Sequence, residues 1–157
     1  MQHLAFSQGL LTYSPLTIPD SLKKDADAVF RLDETVVEIS SASKFTISDH
    51  QIITILNKDG LRHSSVVFLT DKLIKLDEAE VRIYNNLGLE IKKYRKKDFS
   101  VFGNPYESSL ATDNKYYYLE APMPEPPFTI EITSVTKFYG YIDFPDWKFG
   151  SSSESFE

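Results

Sequence analysis

Residues 79–99 have the sequence A-E-V-R-I-Y-N-N-L-G-L-E-I-K-K-Y-R-K-K-D-F, which predicts a β-hairpin. Val81 and Ile83 alternate with Arg82 and Tyr84, and a period of two is typical of a strand with one buried face. Residues 85–88 are Asn-Asn-Leu-Gly, a turn sequence, because Asn and Gly adopt positive φ angles at low cost. Beyond the turn, the returning strand is expected to resume the buried face through Leu89 and Ile91.

The same period of two predicts strands elsewhere in the chain. Residues 26–40 alternate, and a change of phase predicts a bulge near Asp33. Residues 44–56 predict a second long strand, with an irregularity at Asp49 and His50, and residues 128–132 alternate cleanly. A helical turn is expected near residues 96–99 and a long loop over residues 100–114. The sequence therefore predicts an all-β fold, an antiparallel β-sandwich with long loops and at most one or two short helical turns.

The domain organisation follows from where these patterns begin and end. Residues 1–17 show no sustained period and predict an extended N-terminal arm. Residues 18–150 predict a single β-sandwich domain, and the Ser-rich residues 151–157 predict a flexible tail or linker. Within the domain, residues 121–127 contain four prolines, so we expect extended chain there instead of a ladder strand.

Composition narrows the possible functions. The net charge of −6 argues against a general nucleic-acid binder, because phosphate binding needs clustered positive charge. The absence of cysteine excludes disulfides, thiolate zinc sites and a cysteine nucleophile. No apolar run is long enough for membrane insertion. The first residues lack the pattern of a signal peptide, so the protein is either cytoplasmic or has had a signal removed.

Charged clusters give weak indications of chemistry. The basic run at residues 92–97 is better interpreted as a solvated strand end than as a site for an anionic polymer. Asp77, Glu78 and Glu80 lack the spacing of a calcium loop, and the three histidines share no ligand spacing, so we expect no metal and no cofactor. Asp143 and Asp146 leave open a small hydrolase with paired carboxylates.

Aromatic residues are the best candidates for a binding site. The chain has nine Tyr, eleven Phe and one Trp, and most of them lie in its second half. Exposed aromatic rings stack on sugars, although Tyr and Trp also serve as core or interface anchors. The candidate binding residues are Tyr116, Tyr117, Tyr118, Tyr139, Tyr141 and Trp147.

Short motifs follow one another in a distinctive order over residues 15–150. They include T-I-L-N-K-D-G at residues 54–60, G-L-E-I-K-K at residues 88–93, K-D-F at residues 97–99 and P-F-T-I-E at residues 127–131. In this order the chain resembles a bacterial domain of unknown function that precedes transglutaminase-like domains in multidomain envelope proteins.

The resemblance implies a β-sandwich domain without catalytic residues of its own, hence not an enzyme. Its host would be an exported protein, periplasmic or at the cell surface, whose Cys-His-Asp machinery lies in the adjacent papain-like, transglutaminase-like domain. The function it implies is that of an accessory domain that mediates interdomain or ligand contacts, with an envelope polysaccharide or protein as a further partner. The alternative is a carbohydrate-binding module that uses the exposed tyrosines and tryptophan.

Overall fold

The computed structural model describes residues 13–103, 114–140 and 154–156. These residues form an all-β structure of two sheets, whose strands are mostly antiparallel, as the sequence predicts. The strands of the described residues are β1 (Ala28–Ser41), β2 (Lys44–Ile55), β3 (Val67–Thr70), β4 (Ile74–Tyr84), β5 (Glu90–Arg95), β6 (Ser100–Gly103), β7 (Lys115–Tyr118), β8 (Phe128–Tyr139) and β9 (Glu154–Phe156).

The predicted hairpin is confirmed as β4 and β5, which pair from Glu80 and Arg95 to Tyr84 and Glu90. Gly88 has a φ of 79°, and the backbone N–H of Gly88 donates to the carbonyl of Asn85 over 2.9 Å. The expectation that Leu89 and Ile91 regain the buried face is wrong, since each is 44% exposed. The register pairs Val81 with Tyr94 and Ile83 with Lys92, so the even-numbered residues of β5 lie on the side of the buried face, and a shift beyond Ile83 leaves Ile91 unpaired in the ladder.

The larger sheet has six strands in the order β5-β4-β8-β2-β1-β9, with β9 parallel to β1 and every other pair antiparallel. The bulge predicted near Asp33 lies two residues earlier, where Arg31 is the extra residue between Phe30 and Leu32. The irregularity predicted in β2 is wrong, because Asp49 and His50 pair without interruption on both sides. Of these two strands, only β1 therefore contains an irregularity that moves its apolar residues from one face of the sheet to the other.

The smaller sheet has three strands in the order β3-β7-β6 and packs over the inner face of the larger one. Phe128 and Ile130 of β8, with Val81 and Ile83 of β4, are fully buried beneath it. Residues 100–103, predicted to begin a long loop, instead form β6, because they pair with β7. The remainder of that predicted loop, residues 104–113, lies outside the described residues.

Helical structure within the described residues is limited to α1 (Asp20–Lys23) and 3₁₀ turns at Pro15–Thr17, Asp59–Ser64 and Lys96–Asp98. The last of these confirms the helical turn expected near residues 96–99. Residues 119–127, which hold the proline-rich segment, contain no strand. Over the described ranges, no helix has the length and apolar character needed to cross a membrane.

Candidate binding surfaces

Glu131 is buried on the outer face of the six-stranded sheet, the face turned away from the smaller sheet, and is only 8% exposed. It lies in β8 opposite Arg82 of β4 and Ile52 of β2. Because alternate residues of a strand share a face, Tyr84 and His50 lie diagonally across the neighbouring strands and reach the same carboxylate.

Three hydrogen bonds satisfy this carboxylate. The Tyr84 hydroxyl donates to Oε2 over 2.7 Å, the Tyr13 hydroxyl donates to Oε1 over 3.0 Å, and His50 Nε2 lies 2.8 Å from Oε1. Burial alone would raise the pKa of Glu131, but the bonds from Tyr84, His50 and Tyr13 outweigh it and lower the pKa. An ionised carboxylate only accepts, so His50 Nε2 is the donor.

Tyr13 belongs to the segment of residues 13–17, which we call the strap. Its bond to Glu131 and further hydrogen bonds hold the strap against the sheet. The Ser14 hydroxyl donates to the carbonyl of Asn86 over 2.8 Å. Arg31 donates to the Ser14 carbonyl over 3.2 Å and to the Thr17 hydroxyl over 3.0 Å. Although these residues belong to the predicted N-terminal arm, they are docked across the end of the outer face. Hydrogen bonds fill three of the roughly four acceptor positions of Glu131. The role that this bonding supports is to position the strap.

A groove of about 710 Å³ crosses the outer face next to this network. Its floor includes His50 and Thr133, and Val36 and Glu34 of β1 form one wall. Basic residues that follow β5 form the opposite wall. The groove therefore combines an apolar strip with charges of both signs.

Members of the charged clusters that the sequence singled out form ion pairs, and Glu80 joins the acidic cluster to the basic run. Glu80 lies 2.9 Å from Lys93 and 2.6 Å from Arg82, and Asp77 lies 2.7 Å from Lys137. The hydrogen bond from Lys93 is the largest cause of the lowered pKa of Glu80. Across the described ranges, no three His, Asp or Glu residues are arranged to hold a metal ion. The carboxylates Asp143 and Asp146 lie outside the described residues.

The structure separates the candidate aromatic residues. Tyr117 faces inward and packs against the core. Tyr116 and Tyr118 lie on the outside of the three-stranded sheet, whereas Tyr139 lies on the six-stranded sheet opposite Lys44, whose Nζ is 5.7 Å from its ring centroid. Tyr141 and Trp147 lie outside the described residues.

Tyr116 and Tyr118 share their side of the small sheet with exposed apolar residues. Their register partners in β3 are Leu69 and Val67, and the partner of Tyr116 in β6 is Phe102. Val67, Leu69 and Phe102 are each 50% exposed, and Tyr118 is 37% exposed. We call this surface the apolar face; it consists of Val67, Leu69, Phe102, Tyr116 and Tyr118.

The sequence missed both the Glu131 network and the composition of the apolar face. His50 and Glu131 are 81 residues apart along the chain, and no local spacing relates them. The one available signal was the even spacing of His50, Ile52 and Thr54 in β2, which places them on one face once β2 is known to be a regular strand.

Comparison with known proteins assigns the chain to a family. The model for DUF3857, described as a domain of unknown function with a solved structure, matches residues 41–155. The chain belongs to the DUF3857 family. No curated protein shows significant similarity to this DUF3857 chain.

A solved structure has the same fold. It is the crystal structure described as a "putative protease" from Parabacteroides distasonis, with a TM-score of 0.61 and 8% identity over 73% of this chain. The DUF3857 chain spans 23% of the length of that protein. At this identity the similarity shows the fold alone.

Proposed function

We propose that this chain is a non-catalytic accessory domain of a longer exported protein, periplasmic or at the cell surface. In this proposal, its apolar face contacts a papain-like, transglutaminase-like domain of the same polypeptide. DUF3857 membership and a structural neighbour about three times as long support a role as one domain among several. The observation that carries the proposal is the apolar face itself.

The apolar face has the composition of an interface core. Its three half-exposed apolar side chains lie on β3 and β6, and the two tyrosines lie on β7, between these strands. Contiguous exposed apolar residues on a soluble protein indicate an interaction site, and aromatic residues are enriched at interfaces. The opposite side of β7, by contrast, places Tyr117 in the core, so the small sheet is apolar on both sides. A second partner for its outer side is therefore expected.

The test uses the longer protein and the variant Leu69→Glu. Because Leu69 is half exposed, the substitution should leave the folding of this domain intact and weaken only the interdomain contact. Calorimetry should then resolve two separate melting transitions where the wild type gives coupled ones, and small-angle scattering should show a more extended shape.

The matched control is Leu87→Glu, in the β4–β5 turn, where Leu87 is 57% exposed and lies away from the apolar face. This variant should melt and scatter as the wild type does. If Leu69→Glu also leaves the coupling and shape unchanged, the apolar face does not contact the neighbouring domain and the proposal is wrong.

Carbohydrate binding is the second candidate function. It is favoured by Tyr116 and Tyr118, which lie two residues apart on one exposed strand face and could stack on successive sugar rings. Titration calorimetry with cell-envelope polysaccharides should show binding that Tyr118→Ala abolishes and Tyr139→Ala retains. The absence of heat with the wild-type chain across such polysaccharides would exclude this function.

A further inference from the structure

The two edges of the six-stranded sheet are built differently. The β5 edge carries Lys92, Lys93 and Arg95, and its ladder with β4 is interrupted at Ile91. Cationic side chains and irregular pairing are the usual means of preventing an edge strand from pairing with another chain. This edge is therefore protected.

Between its two register shifts, the β1 edge has neither cationic side chains nor irregular pairing, and its charged residues, Asp33, Glu34 and Glu38, are all acidic. β9 pairs with it only at Ala28, Val29 and Phe30, and within the described ranges no other strand pairs with this edge. Residues 32–39, Leu-Asp-Glu-Thr-Val-Val-Glu-Ile, contain no Lys, Arg or Pro. They pair regularly with β2 between the register shifts at either end.

Exposed apolar side chains accompany this open edge. Val36 is 46% exposed on the outer face, where it forms a wall of the groove, and Ile39 is 57% exposed on the inner face. Over the part of the chain that the structure describes, the backbone groups of residues 32–39 that point away from β2 have no strand partner. Such an edge, with apolar side chains on both faces, is suited to the addition of a strand.

The position of β9 sets the direction of such a strand. β9 runs parallel to β1, with Glu154, Ser155 and Phe156 opposite Ala28, Val29 and Phe30. A polypeptide that continues past Phe156 in the same direction reaches the position opposite Leu32. No connection has to be closed for it to pair, so the entropic cost is lower than for a separate chain.

We propose that residues 32–39 of β1 bind an extended segment of the same polypeptide, the one that continues past Phe156 in a longer protein, in parallel orientation. The inference rests on the proposed function, because it requires a polypeptide that extends beyond this domain. On the outer face, Leu32 and Val36 alternate with Glu34 and Glu38. Opposite charges stabilise cross-strand pairs, so the added strand carries Lys or Arg beside the two glutamates and apolar residues beside Leu32 and Val36.

A second copy of this chain fits the edge less well. Antiparallel self-pairing centred on Val36 places Glu34 against Glu38, and centring it on Thr35 places Leu32 against Glu38. Like charges or an apolar–acidic mismatch oppose each register, and the net charge of −6 adds repulsion between copies.

Amide hydrogen exchange tests the proposal by comparing the longer protein with this chain. In the longer protein, alternate amides of residues 32–39 should exchange at least about tenfold more slowly than in the 157-residue chain. Val36→Lys, which adds a cation to the outer face at a half-exposed position, should remove most of that protection in the longer protein. Ile91→Lys, the matched change on the β5 edge, should leave it unchanged.

Equal exchange of these amides in the two proteins would overturn the proposal. Protection that appears in the 157-residue chain and grows with protein concentration would assign the edge to a second copy, which also overturns it. The variant Leu69→Glu separates this inference from the proposed function. It should uncouple the domains and leave the protection of residues 32–39 in place. Val36→Lys should remove that protection and leave the domains coupled.

Discussion

The ring of Tyr13 stacks on the ring of Tyr84, with centroids 4.0 Å apart and planes 9° apart. Both hydroxyls donate to Glu131, one to each carboxylate oxygen. Burial, followed by interaction with Glu131, raises the pKa of each tyrosine. Both therefore remain protonated donors at neutral pH. The stack joins the strap to the sheet through one ring contact and one shared acceptor.

Glu131→Gln should lower the free energy of unfolding by about 1–3 kcal/mol, because the neutral amide replaces a charged acceptor of three hydrogen bonds and brings a buried N–H₂ group among donors. Urea denaturation at neutral pH measures the change. The control is Glu38→Gln, an exposed residue of β1, which should have little effect. Equal stability of Glu131→Gln and the wild type would show that the network contributes nothing to folding.

The contribution of Glu131 should depend on pH. Its pKa in the folded chain lies below the ordinary value of 4.5, so its stabilising effect is complete above about 4.5 and is lost as the pH falls through the folded value. Other carboxylates with lowered pKa values, such as Glu80 and Asp77, add to the acid sensitivity of the wild type. The difference between the wild type and Glu131→Gln isolates Glu131. It should be constant at neutral pH and shrink as the pH falls below the ordinary value of 4.5, and a difference that does not change with pH would contradict this assignment.

Tyr13→Ala should loosen the strap more than Tyr13→Phe does. Phenylalanine retains the stack on Tyr84 and loses only the hydrogen bond, whereas alanine loses both. Amide exchange of Thr17 and Ile18, whose N–H groups donate to the carbonyls of Ser14 and Pro15, reports the opening of the strap. Exchange should increase in the order wild type, Phe variant, Ala variant. Identical rates in all three would mean that Tyr13 does not anchor the strap.

Thr54 and Thr129 should show strong coupling in a double-mutant cycle. Their hydroxyls lie 2.8 Å apart, and both residues are fully buried. Either single change to valine leaves one buried hydroxyl without this partner, at a cost of about 1–3 kcal/mol, whereas the double variant removes both hydroxyls and should cost less than the sum. Chemical denaturation of the four proteins measures the coupling. Additive effects would contradict it.

Gly60→Ala should destabilise the chain by about 1–3 kcal/mol through steric overlap. A Cβ atom on Gly60 would lie 2.2 Å from the backbone carbonyl oxygen of Asp27, which also accepts from the N–H of Leu56. Gly103→Ala is the control, since no atom of the described residues lies within 4 Å of its Cβ position. Thermal denaturation should separate the two variants clearly. Similar melting temperatures would show that the connection after β2 adjusts at low cost.

The sequence by itself determined the fold class and the hairpin. Residues 81–84 alternate, and residues 85–88 supply the turn, so local propensity and side-chain period agree. It also located the bulge in β1 to within two residues, because a bulge shifts the phase of the apolar pattern. The burial of Ile91 and the strand at residues 100–103 were mispredicted, because both depend on how a partner strand pairs.

Only the tertiary structure decided which side chains meet. Tyr13, His50, Tyr84 and Glu131 come from separate parts of the chain, and their contacts depend on the strand order β4-β8-β2 and its register. The same holds for the apolar face and for the open edge of β1, since exposure follows from which neighbours are present. Period and turn propensity act over a few residues, whereas strand order arises from packing the whole chain around one core. A single sequence therefore specifies the elements more directly than the surfaces that they form.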